Sequence, residues 1–195
     1  MENLSKKNYM DILKDLDAVE QNFHRREYLI SNFSRLKSSV PFSPRLNLWI
    51  EKWFKLHQSL FVFTDKDDFF DAKSIQETLQ LYVEHFNSTN TILIWNGASS
   101  DNIYGSEKGN LMFRCWHDYI HITHRSGFSF AGESIVASIQ CSMLPSDWIF
   151  EKELVMIEIL GQNQYYSVHK EFLKSQRQFT IEYLKSAKAI FTKQV

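Results

Sequence analysis

A chain of 195 residues, 44% of them hydrophobic, is long enough for one domain with a real core, or one domain plus a helical appendage, and falls outside the disordered class. The formal charge of −1, with 22 Lys and Arg against 23 Asp and Glu, supplies no global basic field, so nucleic acid is not an expected partner. No apolar run has the length of a membrane span or the character of a secretory leader, and Cys115 and Cys141 form no C-x-x-C pair. These features predict a soluble protein of a reducing compartment, without a membrane partner.

Six Gly and three Pro against 16 Phe favour long elements over tight turns. Residues 6 to 37 read as one long helix or a helical pair, with Tyr9, Ile12, Leu13, Leu16 and Val19 at helical spacing and Phe23, Tyr28, Leu29, Phe33 and Leu36 continuing the stripe. Pro41 and Pro44 break the chain, and Ser43 is a candidate cap for a helix carrying Leu46, Trp49, Ile50, Trp53 and Phe54. Residues 60–63 read as a short strand, a third helix runs through Ile75, Leu79, Tyr82, Val83 and Phe86, and residues 91–95 read as a second strand able to pair with the first as a small ribbon. The polar stretch 96–110 has the composition of a mobile or site-covering loop. Helices then follow over 111–124, 130–144 and 148–160, with Gly127 as a left-handed stop, and a last long helix runs from Gly161 toward Lys193. The basic residues of that segment (Lys170, Lys174, Arg177, Lys185, Lys188, Lys193) read as a solvated face. The expectation is a mainly α-helical fold with two short strands, a single domain over 1–195 in which residues 1–40 can pack as an arm.

The chemistry concentrates in FRCWHDYIHITHRSGFSFAGESIVASIQ. On a helix, His117, His121 and His124 fall within about 60° of arc. Two histidines four apart can share a metal ion, the mechanical basis of H-E-x-x-H; here the order is His117-Asp118-x-x-His121. Glu133, near the start of the next helix, can complete a two-histidine, one-carboxylate set. Glu158 lies in the apolar run VMIEILG, where a lone carboxylate is costly unless paired or metal-bound. The expected metal ligands are therefore His117, His121, Glu133 and Glu158, with zinc, iron or manganese as the divalent ion. Asp118 and Glu133 are the expected proton-handling residues, and His124, Arg114, Tyr166 and His169 are candidates for an additional ligand or a supporting shell. Against this stands a plainer possibility: histidines at four-residue spacing arise by chance, and one on an apolar face is commonly a hydrogen-bonded core residue. Another alternative joins His85 to His117-Asp118 as the halves of an HD-type phosphohydrolase signature. That needs a later aspartate, and only Asp147 is available.

The succession Arg114, His117-Asp118, a further histidine, Gly127-Phe128, Gly132-Glu133, then Glu158 with Gly161-Gln162, resembles a group of bacteriophage proteins whose pattern is Arg-x-x-His-Asp, His, Gly-Phe, Gly-Glu, Glu and Gly-Gln. The resemblance spans residues 113–166 and implies that His117, Asp118, Glu133 and Glu158 are the group's signature. It carries no assigned activity. Some members space the two histidines by five residues, not four, which leaves either His121 or His124 as the counterpart. The expected function is that of a phage-type metal-binding protein, hydrolytic by preference, acting on a small-molecule or protein substrate. The alternative is a non-enzymatic virion or host-interaction protein in which the His/Glu cluster locks helices together.

Overall fold

The computed structural model describes residues 22–66, 70, 72–97, 101–171 and 173–192. The expected helix through Tyr9, Ile12, Leu13, Leu16 and Val19 lies outside these. Among the described residues, α1 (Asn22–Asn32) runs into a single 3₁₀ turn. Helix α2 (Pro44–His57) starts as its sequence requires: Ser43 accepts from Leu46 N at 3.2 Å, and Pro44 occupies the first turn, where its missing N–H costs nothing.

The two strands, β1 (Phe61–Thr64) and β2 (Ile92–Trp95), pair as expected, with Phe61 opposite Ile92 and Thr64 opposite Trp95. The pairing is parallel, because α3 (Ile75–Thr89) lies between them and a parallel pair needs such a crossover. Asn90, in the left-handed conformation at φ 55°, ends α3 and turns the chain into β2. Ile92 and Ile94 are fully buried, whereas Val62 and Phe63 remain part-exposed.

Helix α4 (Glu107–Thr123) begins a turn earlier than the apolar pattern predicts. Ser106 caps it by accepting from Gly109 N at 3.0 Å. Gly109 itself is required by crowding, since a Cβ there would lie 2.8 Å from the Cβ of Tyr104. The preceding segment corrects the expectation of a mobile or covering loop. Asn102, Ile103 and Tyr104 are buried, and backbone bonds from Phe42 N to Ile103 O (2.8 Å) and from Gln176 N to Asp101 O (3.1 Å) pin it to two distant parts of the chain.

Helix α5 (Phe130–Met143) packs on α4, and α6 (Ile149–Met156) follows the Pro145 turn. Gly161 does not separate two helices as expected. The chain continues through one π-helical turn (Ile157–Gly161) into α7 (Gln162–His169), ends at Lys170 with φ 58°, and resumes as α8 (Gln176–Thr192). Arg177 corrects the solvated-face expectation. It is 2% exposed, donates to the carbonyls of Val40 (2.7 Å) and Lys37 (3.3 Å), and lies over the Phe42 ring. One hydrophobic cluster runs from Leu29 to Leu184. At its centre Trp116, fully buried, meets Trp49 at 4.6 Å and Phe113 edge-on at 5.9 Å. The fold is mainly α with a small strand pair.

Candidate metal centre

Helices α4 and α5 bring His117, His121 and Glu133 to one point. His121 Nε2 lies 3.0 Å from His117 Nε2 and 3.3 Å from Glu133 Oε2, and His117 Nε2 lies 3.3 Å from the same oxygen. Bonds of about 2.0–2.1 Å to a tetrahedral ion put ligand atoms about 3.3 Å apart, so this triangle has the dimensions of one face of such a site. Among the described residues these three form the group able to hold a metal ion.

The remaining ring atoms fix the histidines' direction. His121 Nδ1 donates to the Ser126 carbonyl at 2.7 Å, and His117 Nδ1 to Gln140 Oε1 at 3.1 Å. Each imidazole thus carries its hydrogen on Nδ1 and turns a lone pair at Nε2 toward the centre, as ligating histidines do. Two lone pairs and a carboxylate this close repel one another unless a cation lies among them. A proton fulfils that role for part of the cluster, and a divalent ion would satisfy all three. Burial disfavours the charged form of His117, yet the hydrogen bond and charge of Glu133 leave its pKa raised. Burial likewise pushes Glu133 up, but the two imidazoles outweigh it and hold the carboxyl at about 2.

The loop after α4 is built to hold this arrangement. The helix stops at Arg125-Ser126-Gly127 as expected, but Arg125, not Gly127, takes the left-handed conformation at φ 52°. Ser126 N then bonds to His121 O (2.9 Å) and Arg125 N to Ile122 O (3.3 Å), a Schellman ending. His121 is therefore tied to Ser126 twice, through its backbone carbonyl and its ring. Ser129 caps α5 by accepting from Gly132 N at 3.3 Å. Gly132 must lack a side chain, because a Cβ there would lie 1.7 Å from the Gly127 carbonyl oxygen. This close approach sets Glu133 against the histidines.

The triad borders a cavity of about 370 Å³, lined also by Asp118, Glu158, Arg114, Asn110, Gln162 and Tyr166. Glu158 shares the cavity but stands apart from the three-atom cluster. It sits in the π-helical turn, a local widening that often accompanies functional positions, and its Oε2 is buried with no hydrogen-bond partner among the described residues. Burial raises its pKa to about 7, against the opposing hydrogen bond from Gln162. Asp118 is raised by burial too, opposed by His117, His121 and Arg114. Arg114 does not pair with Asp118; it donates to the carbonyls of Trp95 and Gly97, both at 2.6 Å.

Other expected members fall away. His124 is the exposed C-terminal cap of α4 and is not among the three residues whose ligand atoms cluster. His169 is exposed, its ring tilted against Tyr165 at 4.3 Å, and it does not line the cavity that Tyr166 borders. His85 bonds Thr91 at 3.2 Å and Asp147 is exposed in the turn before α6, so the HD-type combination is not assembled. Sequence reasoning missed Gln140, whose signal was nevertheless present: seven residues after Glu133, it is a polar residue on the same face of a helix that buries Val136 and Ala137.

The fold and site define a helical protein with a two-histidine, one-carboxylate cluster at the edge of a polar cavity. No family model, curated protein or solved structure matches the chain.

Proposed function

We propose that this protein is a metal-dependent hydrolase in which His117, His121 and Glu133 hold a divalent ion, zinc or else iron or manganese. The observation that carries the reading is the triangle of ligand atoms with edges of 3.0–3.3 Å, both imidazoles oriented through Nδ1, beside a cavity of about 370 Å³. A structural metal site is closed by four protein ligands, whereas a catalytic one keeps a position for water. Three ligands beside a cavity match the second pattern.

An ion held there would supply Lewis acidity and bring the pKa of water down toward about 7. The chain's own groups then divide the remaining work. Gln140 and the Ser126 carbonyl keep both imidazoles in the ligating tautomer. Asp118 takes the proton released as water adds to a carbonyl or phosphoryl centre. Glu158, near neutrality at about 7, gives its own proton to the leaving group, and proton exchange with solvent restores both carboxyls. The residues that resemble the bacteriophage group, 113–166, supply most of the cavity lining, and the protein proposed is of phage type, acting on a small-molecule or protein substrate.

The test is elemental analysis of protein purified without an affinity tag, beside a His117→Ala, His121→Ala double variant. Near-stoichiometric metal in the parent and none in the variant is the expected result, and it directs an activity screen toward peptide, ester and phosphoester substrates. A parent that stays folded yet takes up no zinc, manganese or iron overturns the reading and leaves a hydrogen-bonded helical junction. No helix among the described residues is long and apolar enough to cross a membrane.

A further inference from the structure

Arg114 lies three residues before His117 and seven before His121, on the same stripe of α4. Residues at that first spacing are neighbours, with Cβ atoms about 5–6 Å apart. Its Nη1 is committed to the carbonyls of Trp95 and Gly97, and its guanidinium lies 5.2 Å from the centre of the Trp95 ring. One end of the fork is therefore fixed to β2. Arg114 nonetheless lines the cavity, and among the described residues no carboxylate stands within ion-pair distance of it. Arg114 is half-buried, whereas two buried guanidiniums elsewhere are engaged by protein: Arg45 by Glu151 at 2.7 Å, and Arg177 by backbone carbonyls. Beside the carboxylates Asp118, Glu133 and Glu158, the polar walls of the cavity include the neutral amides Asn110, Gln162, Asn163 and Gln176.

We infer that Arg114 receives an anionic oxygen group, phosphate or carboxylate, on the molecule that reaches the metal triad. A guanidinium immobilised at one end and stacked on an aromatic ring keeps its remaining N–H donors in a fixed direction, which suits the planar, forked recognition of such groups. Asp118, Glu133 and Glu158 act against an anion, and a divalent ion on the triad would set positive charge against them on the same side of the cavity. The inference rests on the hydrolase reading for the location of the reacting group, not for the anion site itself.

Isothermal titration with inorganic phosphate, and separately with acetate, tests it on zinc-loaded and on chelator-treated full-length protein. Arg114→Gln is expected to weaken binding about 10- to 100-fold with zinc content unchanged, as the loss of charge-assisted hydrogen bonds requires. Arg114→Lys is expected to lose less, because charge remains and only the fork is gone. Since Arg114 also secures the end of β2, Asn163→Glu serves as a second variant. It leaves every Arg114 bond intact and puts a competing carboxylate into the same cavity, and it is expected to weaken phosphate binding as well. Tighter binding of phosphate or of acetate identifies which oxyanion the site prefers. Absence of binding to the parent, or equal affinity in parent, Arg114→Gln and Asn163→Glu, overturns the inference even where zinc is bound. Arg114-dependent phosphate binding by a protein that takes up no zinc upholds it while removing the hydrolase reading.

Discussion

Two buried carboxylates, Glu151 and Glu133, occur on neighbouring helices and meet opposite fates. Glu151 is fully buried, and both its oxygens are matched: Ser43 donates to one at 2.6 Å and Arg45 to the other at 2.7 Å. Glu133 is 8% exposed and faces two imidazoles whose protons point elsewhere, at the edge of a cavity. The first carboxylate thus finds both partners within the protein and joins α2 to α6. The second is completed only by a proton or a bound ion. The difference teaches that burial of charge does not by itself mark function; what matters is whether the protein supplies every partner.

The comparison breaks most visibly if the closed cluster is opened. Arg45→Met leaves Glu151 buried and uncompensated and is expected to cost about 3–5 kcal/mol in urea unfolding, with metal uptake per folded molecule unchanged. Equal loss of metal uptake in that variant would erase the distinction between the two sites.

Linkage gives the next effect. The folded-state pKa of Glu133 is depressed to about 2 from an ordinary carboxyl value, so its contribution is present above about pH 4.5 and is lost as pH falls toward 2. His117 is raised, so its contribution is present below its unfolded value of about 6.5 and fades as pH rises through the folded one. Metal-free protein should therefore be most stable, relative to Glu133→Gln, between about pH 4.5 and 6.5, by on the order of 2–3 kcal/mol. Unfolding midpoints of both proteins at pH 3, 5.5 and 8 measure this, and a pH-independent difference would count against the pairing.

Gln140→Leu removes the acceptor of His117 Nδ1 and should weaken zinc binding about 10- to 100-fold, as loss of a supporting hydrogen bond does, with little change in stability. Competition with a chelating dye would read it, and unaltered affinity would show that the tautomer is fixed by another group. The smallest effect belongs to His124→Ala and His169→Ala. Both residues are exposed, and their removal should leave zinc stoichiometry intact and shift stability by less than about 0.5 kcal/mol.

Local signals in the chain sufficed for much of the fold. Ser43 before Pro44, the apolar spacing of Leu46, Ile50 and Trp53, and the strand pair read directly, because capping and periodicity act over a few residues. Helical spacing alone set His117 and His121 on one face, and the cost of a lone carboxylate in VMIEILG singled out Glu158. Contacts between distant segments were not legible. That Arg177 is buried against Phe42, that residues 102–104 are anchored and not mobile, and that Arg45 finds Glu151 each depend on partners tens of residues away.

The sequence thus determined which residue types are available for metal chemistry and which helical turns carry them, because a helix fixes the spacing of its own side chains. The tertiary structure decided which of them meet. The Schellman ending at Arg125 and the approach of Gly132 to the Gly127 carbonyl turn α5 so that Glu133, and not His124 or Glu158, joins His117 and His121. Only packing between helices converts three plausible ligands into three atoms 3.0–3.3 Å apart, because the angle at which two helices cross is set by what fits between them.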